Sequence, residues 1–337
     1  MSSLHGSGTG RNEPKLSVAK ALTQDASAPE IAVIIPTRNR LNVLRKAIDS
    51  VFTQTHKNFE LIVVDDCSSD GTEAYLASVT DPRFKWFRFD QWRNQNAARN
   101  HGVAMSKAPI LTLLDSDDSY LPHRLAETLA FFRDNPKMDV RLSSFTSVAG
   151  AKSDDLINLE GILSPADLEH YLIGVCLNLG GSAIAIRRQV FDETGGYDES
   201  VLRMTDREFL LCVARKYGCY SSARIDWIKN RSPDSVSNPS VGRITALDSL
   251  CQRHPAMLQT YPVLFRYLVA REIVKPLLNL RLRDARAALA EASNHPRTRT
   301  PVWQILSHYQ RGRRQRHALR KEIAARWGAS SAESDST

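Results

Sequence analysis

The 337-residue sequence lacks the features that define several large classes of protein. No run approaches the roughly 18 apolar residues that cross a bilayer, and the first thirty residues contain no signal-peptide core, so we expect a cytoplasmic protein. The five cysteines are scattered without metal-ligand spacing, which indicates free thiols in a reducing compartment. The sequence also contains no G-x-G-x-x-G motif, and this argues against a dinucleotide-dependent oxidoreductase.

Acidic residues are scarce in the C-terminal third of the chain. The formal net charge is +8, but residues 243–337 contain 17 Lys and Arg against 7 Asp and Glu, which leaves about −2 for residues 1–242. A segment with this excess of positive charge predicts an acidic partner, such as an anionic membrane surface or nucleic acid. A solvated helical surface without such a partner is the alternative interpretation.

Hydrophobic periodicity divides the chain into four segments. Residues 1–30, rich in Ser, Gly, Thr and Ala, predict a disordered tail. Residues 31–242 alternate buried strands with amphipathic helices, which is typical of an α/β fold with a mostly parallel sheet flanked by helices. Residues 243–327 show helical patterns without strands and predict a basic α-helical extension, in which Pro276 should kink or break one helix. Residues 328–337 again predict disorder.

One stretch carries the strongest chemical signal, APILTLLDSDD from Ala108 to Asp118. Its apolar run predicts a buried strand, which is followed by the three carboxylates of Asp115, Asp117 and Asp118. Ligands of open α/β sheets bind outside the carboxyl ends of the strands, and Asp-x-Asp can hold one hard divalent cation there with room for phosphate oxygens. The alternative is a solvated acidic turn that caps the following helix.

Six motifs, in this order, resemble those of family 2 glycosyltransferases of the GT-A fold. They are VIIPTRNR at 33–40, ELIVVDDCSSDGT at 60–72, AARNHGVAMS at 97–106, LLDSDD at 113–118, VFDETGGYDES at 190–200 and TDREFLL at 205–211. Each motif is short, but their order and spacing together indicate the family over about residues 31–235. The resemblance implies a Rossmann-like GT-A catalytic domain over residues 31–242.

The resemblance also implies residues that bind the nucleotide-sugar donor. Pro36, Thr37 and Asn39 follow the first strand, where they would line a nucleotide pocket; ordinary strand-to-helix turn chemistry is the alternative. Asp66, at the end of the second strand, would accept the N3–H of a uracil-like base, although a solvated turn acid would have the same sequence. Arg99 would face the nucleotide from a third side, unless it is a surface charge of its helix.

The carboxylates of the remaining motifs have implied roles in chemistry. The resemblance assigns Asp117 to Mg²⁺ or Mn²⁺ and Asp115 to the ribose or the metal's waters, whereas Asp118 is expected to cap a helix or support the site. Asp206 is the candidate general base at the acceptor hydroxyl, with an N-terminal helix cap as its alternative. Family members usually have Glu-Asp where this chain has Thr205-Asp206, and after the last strand only Arg231 remains as a phosphate-side candidate.

The activity implied by the resemblance is the metal-dependent transfer of a sugar, with inversion, from a nucleotide-diphospho-sugar. A UDP-sugar is the expected donor. The acceptor would be a hydroxyl of a glycan or lipid-linked oligosaccharide, in cell-surface polysaccharide synthesis at the cytoplasmic face of the membrane. A sugar-1-phosphate nucleotidyltransferase is the rival enzyme, but it needs a Gly-rich loop where this chain has PTRNR. A non-catalytic membrane or nucleic-acid module would explain the basic segment and not the acidic strand ends, so no nucleic-acid partner is expected.

Overall fold

The computed structural model describes residues 28–231 and 242–327. The predicted C-terminal tail and all but three residues of the predicted N-terminal tail therefore lie outside the described residues. Among the residues described, none of the helices combines the length and apolar character needed to span a bilayer.

Ten strands form one mixed sheet. They are β1 (Ile31–Thr37), β2 (Phe59–Asp65), β3 (Phe84–Arg88), β4 (Ile110–Leu113), β5 (Ser119–Tyr120), β6 (Val140–Ala149), β7 (Lys152–Leu156), β8 (Gly161–Leu163), β9 (Ile184–Arg187) and β10 (Cys219–Asn230). The order is β3-β2-β1-β4-β9-β6-β10-β5, with β7 paired to β6 and β8 to β10. The block β3-β2-β1-β4 and the pair β6-β10 are parallel, while β9 runs antiparallel between β4 and β6.

Twelve α-helices surround this sheet in the described chain. They are α1 (Leu41–Phe52), α2 (Thr72–Ser78), α3 (Gln95–Met105), α4 (Arg124–Asp134), α5 (Pro165–Ile173), α6 (Arg188–Thr194), α7 (Thr205–Val213), α8 (Arg243–Arg253), α9 (Ala256–Gln259), α10 (Pro262–Leu278), α11 (Leu282–Asn294) and α12 (Val302–Trp327). A short 3₁₀ helix, Gly181–Ala183, leads into β9. The predicted α/β architecture with C-terminal helices is thus confirmed.

The sheet has a hydrophobic layer on each face because successive side chains of a strand point to opposite sides. Ile31, Val33 and Ile35 of β1 pack with the buried face of α1. Ala32 and Ile34 belong to the opposite layer, which also contains residues of α3. All seven residues of β1 are buried, as expected for a central parallel strand covered on both faces.

The C-terminal helices pack onto the second of these layers. Leu264, Phe265 and Leu268 of α10 are fully buried and belong to the same hydrophobic cluster as α5 and α7. The packing therefore joins the helical extension to the sheet region through apolar side chains. The expected break at Pro276 does not occur: α10 continues through this residue and ends at Leu278.

The sequence has no clear signal over residues 150–165, where the structure has two short strands. β7 pairs with β6 as a hairpin, and its side chains are mostly exposed, so hydrophobic alternation is absent. β8 pairs with β10. Ser164 then caps α5 by accepting a hydrogen bond from the backbone N–H of Asp167 at 3.1 Å.

Candidate active site

The loops that follow β1 and β2 are held together by Asn39. Its backbone, at a φ of 50°, donates to Ser68 Oγ at 2.8 Å, and its Oδ1 accepts from the backbone N–H of Ser69 at 2.7 Å. Pro36, Thr37 and Asn39 all line the main cleft of the molecule. The Asn39 side chain is thus engaged in joining two loops, which keeps the cleft wall next to Pro36 and Thr37 in one conformation.

Asp66 lies on the same side of the cleft, immediately after β2. Its two carboxylate oxygens accept hydrogen bonds from the backbone N–H groups of Arg93 and Asn94, at 2.7 and 2.9 Å. The side chain is buried and borders the cleft. Each carboxylate oxygen can accept a second hydrogen bond, so Asp66 keeps acceptor capacity for a ligand.

Arg99, on α3, joins two carboxylates that come from distant parts of the chain. Its Nη2 donates to Asp115 Oδ1 at 2.7 Å, and its Nη1 donates to Asp206 Oδ1 at 3.0 Å. The guanidinium also lies over the ring of Tyr197, 4.8 Å from the centroid. Although burial favours the neutral form of Arg99, the charges of Asp206 and Asp115 raise its pKa.

Gly181 fits closely against this three-residue group. A Cβ atom there would lie 2.6 Å from Arg99 Nη2, 2.9 Å from Asp115 Oδ1 and 3.3 Å from Asp206 Oδ1. The absence of a side chain at Gly181 therefore allows the two carboxylates to approach the one guanidinium. No sequence pattern marks this glycine, because its role depends on three residues that are far from it along the chain.

Asp117 and Asp118 follow β4 and have different surroundings. Asp117 borders the cleft and forms an ion pair with Arg40 Nη1 at 2.8 Å. Asp118 is buried and accepts a hydrogen bond from Ser182 Oγ at 2.7 Å. The expectation that Asp118 caps a helix is wrong, because α4 begins only at Arg124; it instead supports the loop that carries Asp117.

The carboxylates that follow β4 lie close to one another and to a buried amine. Burial and the charge of Asp115 raise the pKa of Asp117, and burial raises the pKa of Asp118 well above its usual range. Lys229 of β10 is the nearby amine, and although burial opposes its charge, Asp118, Asp115 and Asp117 raise its pKa. Carboxylate oxygens are the ligands that a hard divalent cation prefers, so the residues present fit Mg²⁺ or Mn²⁺.

Asp206 lies at the start of α7 and accepts from Nη1 of Arg99, whereas Asp115 accepts from Nη2. Besides Arg99, it accepts a long hydrogen bond from the Tyr197 hydroxyl at 3.4 Å. Burial raises the pKa of Asp206 above its ordinary value, although the charge of Arg99 opposes that shift. A carboxylate with a raised pKa that borders a cleft has the properties of a candidate general base.

The cleft that contains these groups has a volume of about 780 Å³. The described residues that line it include eight that the sequence assigns to the donor, the metal or the general base: Pro36, Thr37, Asn39, Asp66, Arg99, Asp115, Asp117 and Asp206. Arg231 is not among them; its Nε donates to Ser147 Oγ at 2.9 Å. Lys229, which sequence reasoning missed, lines the cleft instead.

A carboxylate cluster and a nucleotide-sized cleft at the strand ends of such a sheet are features of GT-A glycosyltransferases. A sequence model of glycosyl transferase family 2 matches residues 32–195. The succinoglycan biosynthesis protein ExoO of Rhizobium meliloti strain 1021 is 35% identical over 244 residues, which cover 69% of each chain. The chain therefore belongs to glycosyl transferase family 2.

Two solved structures share the fold at low sequence identity. The S. aureus protein TarS, residues 1–349 in complex with UDP-GlcNAc, is 15% identical, covers 89% of this chain and 92% of its own, and has a TM-score of 0.60. The mannosyltransferase PcManGT from Pyrobaculum calidifontis, in complex with GDP-Man and Mn²⁺, is 17% identical, covers 90% and 88%, and has a TM-score of 0.52. These similarities confirm the GT-A fold.

Proposed function

We propose that this glycosyltransferase transfers a sugar, with inversion, from a UDP-sugar to a hydroxyl of a glycan or lipid-linked acceptor. The observation that carries the proposal is the bridge through Arg99, which binds Asp115 and Asp206 at 2.7 and 3.0 Å. Asp115 belongs to the donor motif and Asp206 to the acceptor motif. The guanidinium of Arg99 would thus fix the distance between a donor-side carboxylate and an acceptor-side carboxylate.

The donor residues would be those on the wall formed by β1, β2, α3 and β4. Asp66 keeps acceptor capacity for the N3–H of uracil, a contact that cytosine cannot make because its N3 carries no hydrogen. Lys229 would face the diphosphate, since it is a cation beside the carboxylate loop. The proposed donor set is Pro36, Thr37, Asn39, Asp66, Arg99 and Asp115, joined by Lys229.

Asp117 is the residue that would hold the divalent metal, Mg²⁺ or Mn²⁺. Its carboxylate borders the cleft and is paired with Arg40 rather than with a backbone cap. When bound, such an ion neutralises charge that develops on a departing diphosphate. Asp118, held by Ser182, fixes the loop and so keeps the Asp117 carboxylate directed into the cleft.

Asp206 would act as the general base in a single displacement. The oxygen of the acceptor hydroxyl attacks C1 of the sugar while the bond between C1 and the diphosphate oxygen breaks. The proton of that hydroxyl passes to the Asp206 carboxylate. Attack from the side opposite the diphosphate inverts the configuration at C1, and no covalent intermediate with the protein is required.

The test measures UDP release from a panel of UDP-sugars with and without Mn²⁺. In the absence of acceptor, water takes the place of the hydroxyl, and proton NMR of the first product identifies its anomeric form. We expect metal-dependent release and, from an α-linked donor, the β-sugar first. Release that persists in EDTA, or the α-sugar as the first product, would contradict the proposed mechanism.

We also propose that the protein acts in polysaccharide synthesis, since its relative ExoO is a succinoglycan biosynthesis protein, and that it works at the cytoplasmic face of a membrane. The turn between α10 and α11 exposes four leucines, at 44–87% of their surface: Leu277, Leu278, Leu280 and Leu282. Arg283 and Arg286 are exposed beside them. Leucines next to cations suit the interface of an anionic bilayer, where each cation contributes about 1 kcal/mol.

Co-sedimentation with phosphatidylglycerol vesicles tests this membrane proposal. The variant Leu278→Ser with Leu280→Ser should bind at least fivefold less, and wild-type binding should weaken as ionic strength rises. Ile162→Ser, which changes a side chain of β8 that is 58% exposed, is the matched control and should bind normally. Equal loss in the control, or binding that is insensitive to salt, would rule out this surface.

A further inference from the structure

The cleft continues past Asp206 to an end that is lined by arginines. Arg203 and Arg207 come from the segment around the start of α7, Arg243 begins α8, and Arg271 lies on α10. We call these four residues the arginine end. Two of its members belong to the C-terminal extension, so this part of the cleft exists only because the extension packs against α7.

Among the described residues, Arg207, Arg243 and Arg271 of the arginine end share one acidic neighbour besides Asp206. Beyond Asp206, Glu272 is the acidic residue among the described residues that line this part of the cleft. It is already bound by Arg243 Nε at 3.1 Å and by Arg271 Nη2 at 2.8 Å. Within residues 28–231 and 242–327, the side chain of Arg207 has neither an ion pair nor a hydrogen-bond partner.

The surroundings of Arg207 make its charge costly in the free protein. Burial lowers the pKa of Arg207 to about 10, and the like charges of Arg271 and Arg243 add to the effect. Arg207 is half-buried, and Glu272, the nearby acid that opposes this shift, is already paired with Arg243 and Arg271. An anion bound in the cleft would supply the missing partner and relieve the repulsion among the arginines.

We propose that the arginine end binds a phosphate or diphosphate group carried by the acceptor. The inference rests on the proposed transferase function, because Asp206, the candidate base, is the residue directly before Arg207. The planar guanidinium group forms paired hydrogen bonds with phosphate oxygens, and Leu247 and Leu268 provide an apolar wall beside it. The acceptor would then be a phosphorylated sugar or a sugar linked to a lipid through phosphate.

The donor's own diphosphate has the same chemistry and must be distinguished from an acceptor phosphate. The full chain is therefore saturated with UDP and Mg²⁺ first, and inorganic phosphate is titrated afterwards by calorimetry. We expect phosphate to bind the UDP-loaded protein and Arg207→Gln to weaken that binding at least tenfold. The affinity for UDP itself should change less than twofold. Glucose 6-phosphate and farnesyl phosphate, compared with farnesol, then separate a sugar phosphate from a lipid phosphate.

Three further variants keep the result interpretable. Arg283→Gln removes an exposed positive charge from α11 and should leave phosphate affinity within twofold of the wild type. Arg207→Lys keeps the charge but loses the paired hydrogen bonds, so its phosphate affinity should lie between those of Arg207→Gln and the wild type. Arg271→Gln is the substitute if Arg207→Gln does not fold.

Three outcomes would overturn the inference. They are no phosphate binding to the UDP-loaded wild type, an equal loss in Arg283→Gln, and a loss of UDP affinity in Arg207→Gln, which would assign the arginines to the donor. Failure of UDP and Mg²⁺ to bind the wild type would instead count against the proposed function, because phosphate binding can still be measured without UDP.

Discussion

The two ends of the cleft are built from different kinds of element and differ in their charged groups. The donor end consists mainly of loops that follow β1, β2 and β4, and its carboxylates, Asp66, Asp115 and Asp117, lie among cations. The arginine end consists of helix residues from α7, α8 and α10, together with Arg203 from the loop before α7. Asp206 and Arg207, adjacent in sequence, lie where the two ends meet.

This difference explains why the donor end has several recognisable motifs, whereas Arg207 is the one member of the arginine end that lies in a motif. Parallel strands bring their carboxyl ends to one edge of the sheet, so residues that directly follow each strand meet by topology alone. Helices pack at angles that depend on their individual side chains. The position of the other arginines therefore depends on how the helices of this chain pack on the sheet.

The comparison would be overturned if the C-terminal extension, which forms part of the arginine end, proved to be a domain that folds separately from the sheet region. Truncation after Gly242 should give a protein without cooperative unfolding, because it removes Leu264, Phe265 and Leu268 from a shared core and exposes α5 and α7. Circular dichroism during heating provides the measurement. A soluble truncated protein that unfolds cooperatively and binds UDP would show that the extension is an independent unit.

At the donor end, the largest effect of a point substitution is expected for Asp117→Asn. An amide cannot supply the anionic oxygen that a hard cation prefers, so sugar transfer and donor hydrolysis should fall below detection while the fold is kept. Asp154→Asn, on the exposed strand β7, is the matched control and should retain full activity. Metal-stimulated activity in Asp117→Asn would show that the ion binds elsewhere.

At the junction of the two ends, Asp206→Asn should lower kcat by roughly 10²–10⁴, the usual contribution of a positioned base. The affinity for UDP should change little, since the acceptor hydroxyl is the proposed partner of this carboxylate. Calorimetry with UDP and initial rates of UDP release separate the two effects. A collapse of UDP affinity with an unchanged kcat would assign Asp206 to the donor end.

Gly181→Ala tests whether the spacing between the two ends matters by itself. The new methyl group would lie 2.6 Å from Arg99 Nη2, so the bridge between Asp115 and Asp206 must shift. Moving catalytic groups by about 1 Å can lower the rate about 10²-fold, while the melting temperature should change only slightly. Wild-type activity in Gly181→Ala would mean that the bridge does not control the geometry of the reaction.

Much of the donor end could be predicted from the sequence because its residues directly follow apolar strands. Asp66 follows the run of β2, and Asp115 and Asp117 follow the run of β4, so local patterns predicted that these acids lie at strand ends, while their proposed roles came from the family resemblance. Asp206 depended on the resemblance to a family, since an acid at the start of a helix is ordinarily a cap. The structure brings it to Arg99 through packing between α3 and α7 that no local pattern encodes.

Lys229 and the arginine end could not be predicted in this way. Lys229 and Arg231 are two residues apart near the end of β10, and the parallel pairing of β10 with β6 is a long-range contact. Arg231 was the sequence candidate, but Ser147 of β6 binds it outside the cleft. Arg243 and Arg271 appeared only as part of a general basic excess, because their position depends on how α8 and α10 pack.

The smallest effect is expected where the extension meets the sheet region through exposed charges. Arg326 of α12 binds both carboxylate oxygens of Asp167 on α5, each at 3.0 Å. Exposed ion pairs contribute little to stability, so Arg326→Gln should lower the melting temperature by no more than about 2 °C. Leu264→Ala, which opens a cavity in the shared core, should instead cost about 2–5 kcal/mol of unfolding free energy. If Arg326→Gln proves the more damaging of the two, or if salt alone detaches the extension, the two regions are held together by charge and not by the apolar core.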